Sequence, residues 1–223
     1  MSLYDDIRFF TDMVNPLADN LYKIALGLEA LTPRVEAYAR SKSPTLISIR
    51  LSARKGRVIV RGVFQPPEGS MGSLYKELGF HLILEIKGIS NNEVLLEVAR
   101  TGLYKPGAGR FDLVRWAGAV LPGVRASIVS ALVKGMPRSL RTNDERTRMW
   151  FNCKVYLEKV PDYMNSLGDI RIVNVRAQEN RILFYVNTNL IMVNLVDTFG
   201  PEYLSLEEIK YDKESMQMLW GES

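Results

Sequence analysis

A single histidine, His81, and a single cysteine, Cys153, bound the chemistry open to this 223-residue chain. A Ser-His-Asp or Cys-His device would have to run through His81 alone, because an imidazole takes the nucleophile's proton in both. His81 stands between Phe80 and Leu82, so period-two alternation turns it away from the apolar side, toward a surface or an edge. Cys153 stands between Phe151 and Val155 on the apolar side of its run, the setting of a small buried hydrophobe. An intrachain disulfide is excluded, and a zinc site built mainly from cysteine and histidine cannot be assembled. No HExxH, GxSxG, Walker or GxGxxG pattern occurs. Gly107-Ala108-Gly109-Arg110 lacks the lysine and serine of a phosphate cradle and reads as a link. The acidic pairs Asp5-Asp6 and Glu207-Glu208 lie in polar settings, so no two carboxylates share an apolar pocket for acid–base work. These residue types predict a non-enzyme, with no catalytic residue, metal ligand or cofactor.

The charges carry more information. Net charge is +4, but residues 1–148 hold 22 Lys/Arg against 14 Asp/Glu and residues 149–223 hold 7 against 11. The halves therefore stand at +8 and −4. The densest cluster is Arg34, Arg40, Lys42, Arg50, Arg54, Lys55, Arg57 and Arg61, against Glu36 alone. Such asymmetry predicts an anionic partner for the first half, or else a solvated sheet face. Nucleic acid is the weaker candidate, since the cluster is interleaved with one aromatic, Tyr38.

Elements must position these residues. Asn15-Pro16 reads as a helix start, and Val14, Leu17, Leu21, Ile24, Leu28, Leu31, Val35 and Tyr38 recur at helical spacing. The pattern predicts a long N-terminal amphipathic helix to about Arg40, kinked or restarted at Thr32-Pro33. Alternation then predicts strands at Ile47–Ser52 and Val58–Phe64 around the turn Arg54-Lys55-Gly56, at Phe80–Ile86, and at Val94–Val98 after a break over Gly88–Asn92. Phe111–Gly135 returns to helical spacing around Pro122. The polar stretch Pro137–Arg148 is the one candidate subdomain boundary in an otherwise single domain. Met149–Leu157 alternates strictly and predicts a strand, followed by a helical turn at Val160–Met164. Ile170–Val175 and Ile182–Val186 predict a hairpin around Gln178-Glu179-Asn180. Pro201–Ile209 predicts a short helix, and the last ten residues a frayed end.

The stretches Leu46–Phe64, Phe80–Ala99 and Met149–Val186 resemble the tubular lipid-binding superfamily, which includes bactericidal permeability-increasing-type domains. The run Cys153-Lys154-Val155-Tyr156-Leu157-Glu158-Lys159-Val160-Pro161, a strand entering a short helix, carries the resemblance most directly, with Ile170–Val175 after it. The resemblance implies a curved sheet wrapped on a long helix around an apolar groove for acyl chains. It rests on pattern and fixes no binding residue.

The expectation is thus an α+β fold: a curved antiparallel sheet on a long N-terminal helix, with a second helical block in mid-chain. Its function is non-enzymatic binding of lipid or another elongated apolar ligand at an anionic membrane surface. Leu21, Ile24, Leu28, Phe151, Val155 and Leu157 would line the groove, and Arg50, Arg54, Lys55, Arg57 and Arg61 would meet headgroups. The alternative is a protein–protein module using the apolar stretch Leu190–Val196 and the sheet edges. No stretch is long and apolar enough to span a bilayer, and the first residues lack a secretory pattern. A cytoplasmic or peripheral-membrane location follows, or an extracytoplasmic one if a leader preceded Met1.

Overall fold

The computed structural model describes residues 20–66, 68, 75–107, 122–136, 138–160, 170–188 and 192–209. It is an α+β arrangement of two antiparallel sheets. Strand β1 (Asn20–Gly27) leads into helix α1 (Leu28–Lys42), followed by β2 (Leu46–Arg54), β3 (Arg57–Phe64), β4 (Leu78–Ser90) and β5 (Glu93–Tyr104). Helix α2 (Pro122–Gly135) precedes β6 (Leu140–Thr142), β7 (Arg148–Asn152), the single turn α3 (Lys154–Leu157), and β8 (Arg171–Gln178) with β9 (Arg181–Thr188). Helix α4 (Val193–Phe199) and strand β10 (Leu204–Ile209) close the described chain. One sheet has the order β10-β1-β9-β8 and the other β2-β3-β4-β5-β7-β6.

The expected long N-terminal helix is not formed over residues 20–27; Val14 to Leu17 lie outside the described residues. Asn20–Gly27 is instead an inner strand, in register with β9 on one side and β10 on the other. Its two faces explain the misleading periodicity. Tyr22 and Ile24, with Leu26, point into the core between the sheets, while Leu21 and Ala25 pack on Leu183 and Tyr185 on the opposite face. A strand buried on both faces reads as a nearly continuous apolar run, and such a run contains helical spacings by accident.

Helix α1 starts only at Leu28 and runs through Pro33 without a break. It lies along β2, the edge strand of the larger sheet, where it satisfies edge donors. The Ile49 amide donates to Glu36 Oε2 (3.2 Å) and the Leu51 amide to Thr32 Oγ1 (3.1 Å). Thr32 in turn donates to the Leu28 carbonyl at 2.8 Å. Side-chain acceptors thus cover an edge that would otherwise offer free amides to another chain.

The hairpins are tight. Lys55 and Gly56 have φ of 46° and 76°, and Asn91 and Asn92 have 52° and 61°, the left-handed pairs that two-residue primed turns require. β4 therefore continues through Gly88 to Ser90, past the expected break, with register shifts at Ile83/Leu84 and Ile86/Gly88. Two hairpin tips tie the sheets together: the Gly56 amide donates to the Ala177 carbonyl (2.9 Å), and the Asn180 amide to the Ala53 carbonyl (3.0 Å).

One long apolar face of the larger sheet is shared by two covers. Helix α2 brings Val129 onto Ile49, Val60, Leu82, Val98 and Met149. The smaller sheet, with Leu157, Val160, Met192 and Leu195, packs on Val94, Ile86, Leu96 and Phe151. Pro122 opens α2 at a position where its missing amide proton costs nothing. The polar stretch 137–148 contributes β6, which pairs with β7 inside the larger sheet.

Two further sequence expectations are corrected. The strand expected over Met149–Leu157 stops at Asn152, whose Oδ1 accepts the Lys154 amide at 3.0 Å and starts the turn α3. The helix expected over Pro201–Ile209 is a turn followed by β10, held by six register partners on β1. The expected helical turn beyond Val160 lies outside the described residues, as do the last ten.

Candidate anion-binding face

Of the apolar residues expected to line one groove, the structure brings together only some. Ile24 and Leu157 are buried in one cluster, with Phe151 packed against it. Leu21 belongs to the opposite face of β1, and Leu28 to a small cluster with Ala53 and Ala177. Val155 sits half-buried on α3, outside these clusters. The common stripe was a property of the expected helix and disappears with it. In the expected contact stretch Leu190–Val196, Met192 and Leu195 are core residues, at 0% and 4% exposure.

The basic residues behave differently. Outward positions alternate along β2 and β3, and cross-strand register sets Arg50 against Arg61 and Arg54 against Arg57. Register then carries the row to β4, pairing Arg61 with His81 and Arg57 with Glu85, and to β5, pairing Ile83 with Arg100 and His81 with Gly102. Arg50, Arg54, Lys55, Arg57, Arg61 and Arg100 are all exposed. The His81 ring takes the space above Gly102, where a Cβ would fall 2.6 Å from its Cε1, and it lies 6.4 Å from the Tyr104 ring. His81 thus lies on the outer face, as alternation predicts.

This face divides electrostatically. Toward the β2–β3 turn, Arg57 binds Glu85 at 2.7 Å, and Lys87 bridges Glu85 (2.8 Å) and Glu97 (3.2 Å). The hydrogen bonds from Lys87 and then Arg57 hold the Glu85 carboxyl below its ordinary value, and Glu85 and then Glu97 hold the Lys87 ammonium above its own. Beyond β5, Arg141 binds Glu93 at 2.6 Å and lies over the Trp150 ring at 4.7 Å. On α1, Arg40 faces Glu36, and Arg34 lies 3.9 Å above the Tyr203 ring. Arg50, Arg54, Lys55, Arg61 and Arg100 have no carboxylate within ion-pair distance among the described residues. These five form the uncompensated remainder of the basic cluster. Sequence reading missed Arg100, which lies distant in the chain and reaches the face only through β4–β5 register.

No known protein family, characterised protein or solved structure matches this chain. Function must therefore come from the chemistry of the surface.

The Cys153 thiol is buried, and burial pushes it up to about 12, the reverse of an activated thiolate. Among the described residues no three of His, Cys, Asp and Glu are grouped to hold a metal ion. A surface cleft of about 400 Å³ lies at the other end of β4 and β5, lined by Tyr75, Lys76, Glu77, Lys105 and Pro106. No described helix is long and apolar enough to cross a membrane.

Proposed function

We propose that the protein is a non-enzymatic lipid-associating module that docks the outer face of its larger sheet on an anionic membrane surface. The observation that carries this reading is the set Arg50, Arg54, Arg61 and Arg100, exposed on one face, with Lys55 exposed at the adjoining β2–β3 turn, none of them with a carboxylate within ion-pair distance among the described residues. Basic groups near an anionic bilayer each contribute about 1 kcal/mol of attraction. Ile59 and Ile83 stand opposite one another between the arginines, an aliphatic centre that offers no base a stacking surface, and the aromatic rings of the face, His81 and Tyr104, lie to one side of it. The tubular lipid-binding resemblance agrees in substrate class. Binding at the surface requires no interior groove, and so does not depend on Leu21, Ile24, Leu28, Phe151, Val155 and Leu157 sharing one.

Vesicle co-sedimentation tests the proposal. Binding to phosphatidylglycerol vesicles should exceed binding to phosphatidylcholine and fall steeply with salt, because the screening length shrinks from about 10 Å at 0.1 M to about 3 Å at 1 M. Neutralising Arg54, Lys55 and Arg100 with Gln, Asn and Gln should weaken binding roughly a hundredfold, at about 1 kcal/mol per charge. Equal binding to neutral and anionic vesicles refutes the reading.

A further inference from the structure

The Arg50–Arg61 pair differs from the rest of the basic face. The two arginines are direct cross-strand partners, which places their Cβ atoms about 5 Å apart and their guanidinium groups within reach of one small anion. Like charges in this position destabilise a sheet, and elsewhere on the face the strain is relieved: Arg57, opposite Arg54, is held by Glu85 through both Nε (2.9 Å) and Nη2 (2.7 Å). Arg50 and Arg61 have no such relief among the described residues. Ser48 and Ser52 flank Arg50 on the same side of β2, half-buried, and their hydroxyls take part in none of the side-chain hydrogen bonds among the described residues. Two planar forks, flanked by two hydroxyls on the same side of β2, therefore share one patch of the face.

We propose that Arg50 and Arg61, with Ser48 and Ser52, form a discrete site for the phosphomonoester group of a membrane lipid headgroup. This rests on the membrane-docking reading and adds selectivity to it. A phosphomonoester presents three terminal oxygens and up to two charges, enough to accept a bidentate bond from each guanidinium. A phosphodiester presents two oxygens and one charge, and a serine headgroup's carboxylate only two more.

The test compares vesicles containing phosphatidic acid with phosphatidylglycerol and phosphatidylserine vesicles of matched surface charge. Wild-type protein should bind phosphatidic acid about tenfold more tightly, the difference expected between forked and point-charge contacts. Arg50→Lys/Arg61→Lys keeps both charges and removes both forks. It should lose the preference while retaining salt-sensitive binding to phosphatidylglycerol, and Arg61→Lys alone should lose part of it. Thermal melting identical to wild type establishes that the variants are folded. Equal binding at matched charge, or a preference retained in the double variant, overturns the site and leaves membrane docking standing. Absence of binding to every anionic vesicle overturns both. Saturable binding of glycerol 3-phosphate in that circumstance would assign the pair to a soluble phosphate instead. An RNA oligonucleotide that displaces the protein from phosphatidic acid vesicles at equal phosphate concentration also overturns the lipid assignment.

Discussion

Asn92 is the most exacting test of how the two sheets are joined. It occupies the second left-handed position of the β4–β5 turn at φ 61° and is 7% exposed. Its Nδ2 donates to the Ile170 carbonyl at 2.8 Å, its Oδ1 accepts the Ile172 amide at 2.7 Å, and its own carbonyl accepts the Cys153 amide at 3.1 Å. One side chain thus satisfies both a donor and an acceptor at the entrance to β8. Asn92→Ala strands those two backbone groups, each at a cost of about 1–3 kcal/mol, and adds about 1 kcal/mol for alanine in a left-handed conformation. A loss of about 3–7 kcal/mol is expected, a large part of the roughly 5–15 kcal/mol that holds a typical protein folded. Asn92→Gly keeps the backbone freedom and should recover about 1 kcal/mol of it. Asn92→Asp separates donor from acceptor. Its carboxylate still accepts from Ile172 but faces the Ile170 carbonyl without a proton, so folding raises its pKa above the unfolded value. The protonated form can donate, so stability should be highest below the unfolded pKa and fall as pH rises through the folded one. Urea unfolding followed by circular dichroism at several pH values measures all three. Asn92→Ala within about 0.5 kcal/mol of wild type, the scatter of ordinary surface substitutions, would refute this account of the join.

Two further outcomes follow from the same packing. Because burial lifts the Cys153 thiol from its ordinary 9.0 to about 12, it should resist iodoacetamide at pH 8 in the native protein and react on unfolding. Between those two values the unfolded chain ionises and the native one does not, so the contribution of this group to stability should decline from pH 9 toward 12. Gly62→Ala should destabilise by about 1–3 kcal/mol in thermal melts, because the new Cβ falls 2.4 Å from Phe80 Cε1 and 2.9 Å from the Ser48 carbonyl. Gly102→Ala, which meets only the movable His81 ring, should cost distinctly less.

What could be read from sequence was what neighbouring residues decide. The β2–β3 and β8–β9 hairpins are written locally, in alternation and in turns centred on Lys55-Gly56 and Glu179-Asn180. The outward side of His81 follows from the same alternation; Cys153 is buried as expected, but at the bend after β7 rather than on a strand. β1 was not legible because its identity depends on β9 and β10, which arrive more than 150 residues later and pair with its two edges, while apolar residues occupy both of its faces. The end of β7 was missed for a smaller reason: Phe151, Cys153, Val155 and Leu157 continue the strand rhythm, while the decisive signal is the polar Asn152 capping the next turn. In the basic face, Arg50, Arg54, Lys55, Arg57 and Arg61 were legible as a cluster. Sequence could not show that Arg57 is neutralised from β4 while Arg50 and Arg61 are left facing one another.

That last distinction bears on why the charges are there. The apolar face of the larger sheet is closed by α2 and the smaller sheet, and its β2 edge is occupied by Thr32 and Glu36. Nothing in this packing asks for arginine at 50 or 61, since both residues are exposed on the outer face. Threonine or tyrosine would serve the strand better, and a glutamate at either position would turn a repulsive pair into an attractive one. Solubility is met equally well by mixed signs, as the Arg57–Glu85–Lys87–Glu97 ladder on the same face already demonstrates. Folding therefore gains nothing from this pair and bears a small cost for it. On the proposed reading, an anionic surface supplies the missing negative charge and removes that cost.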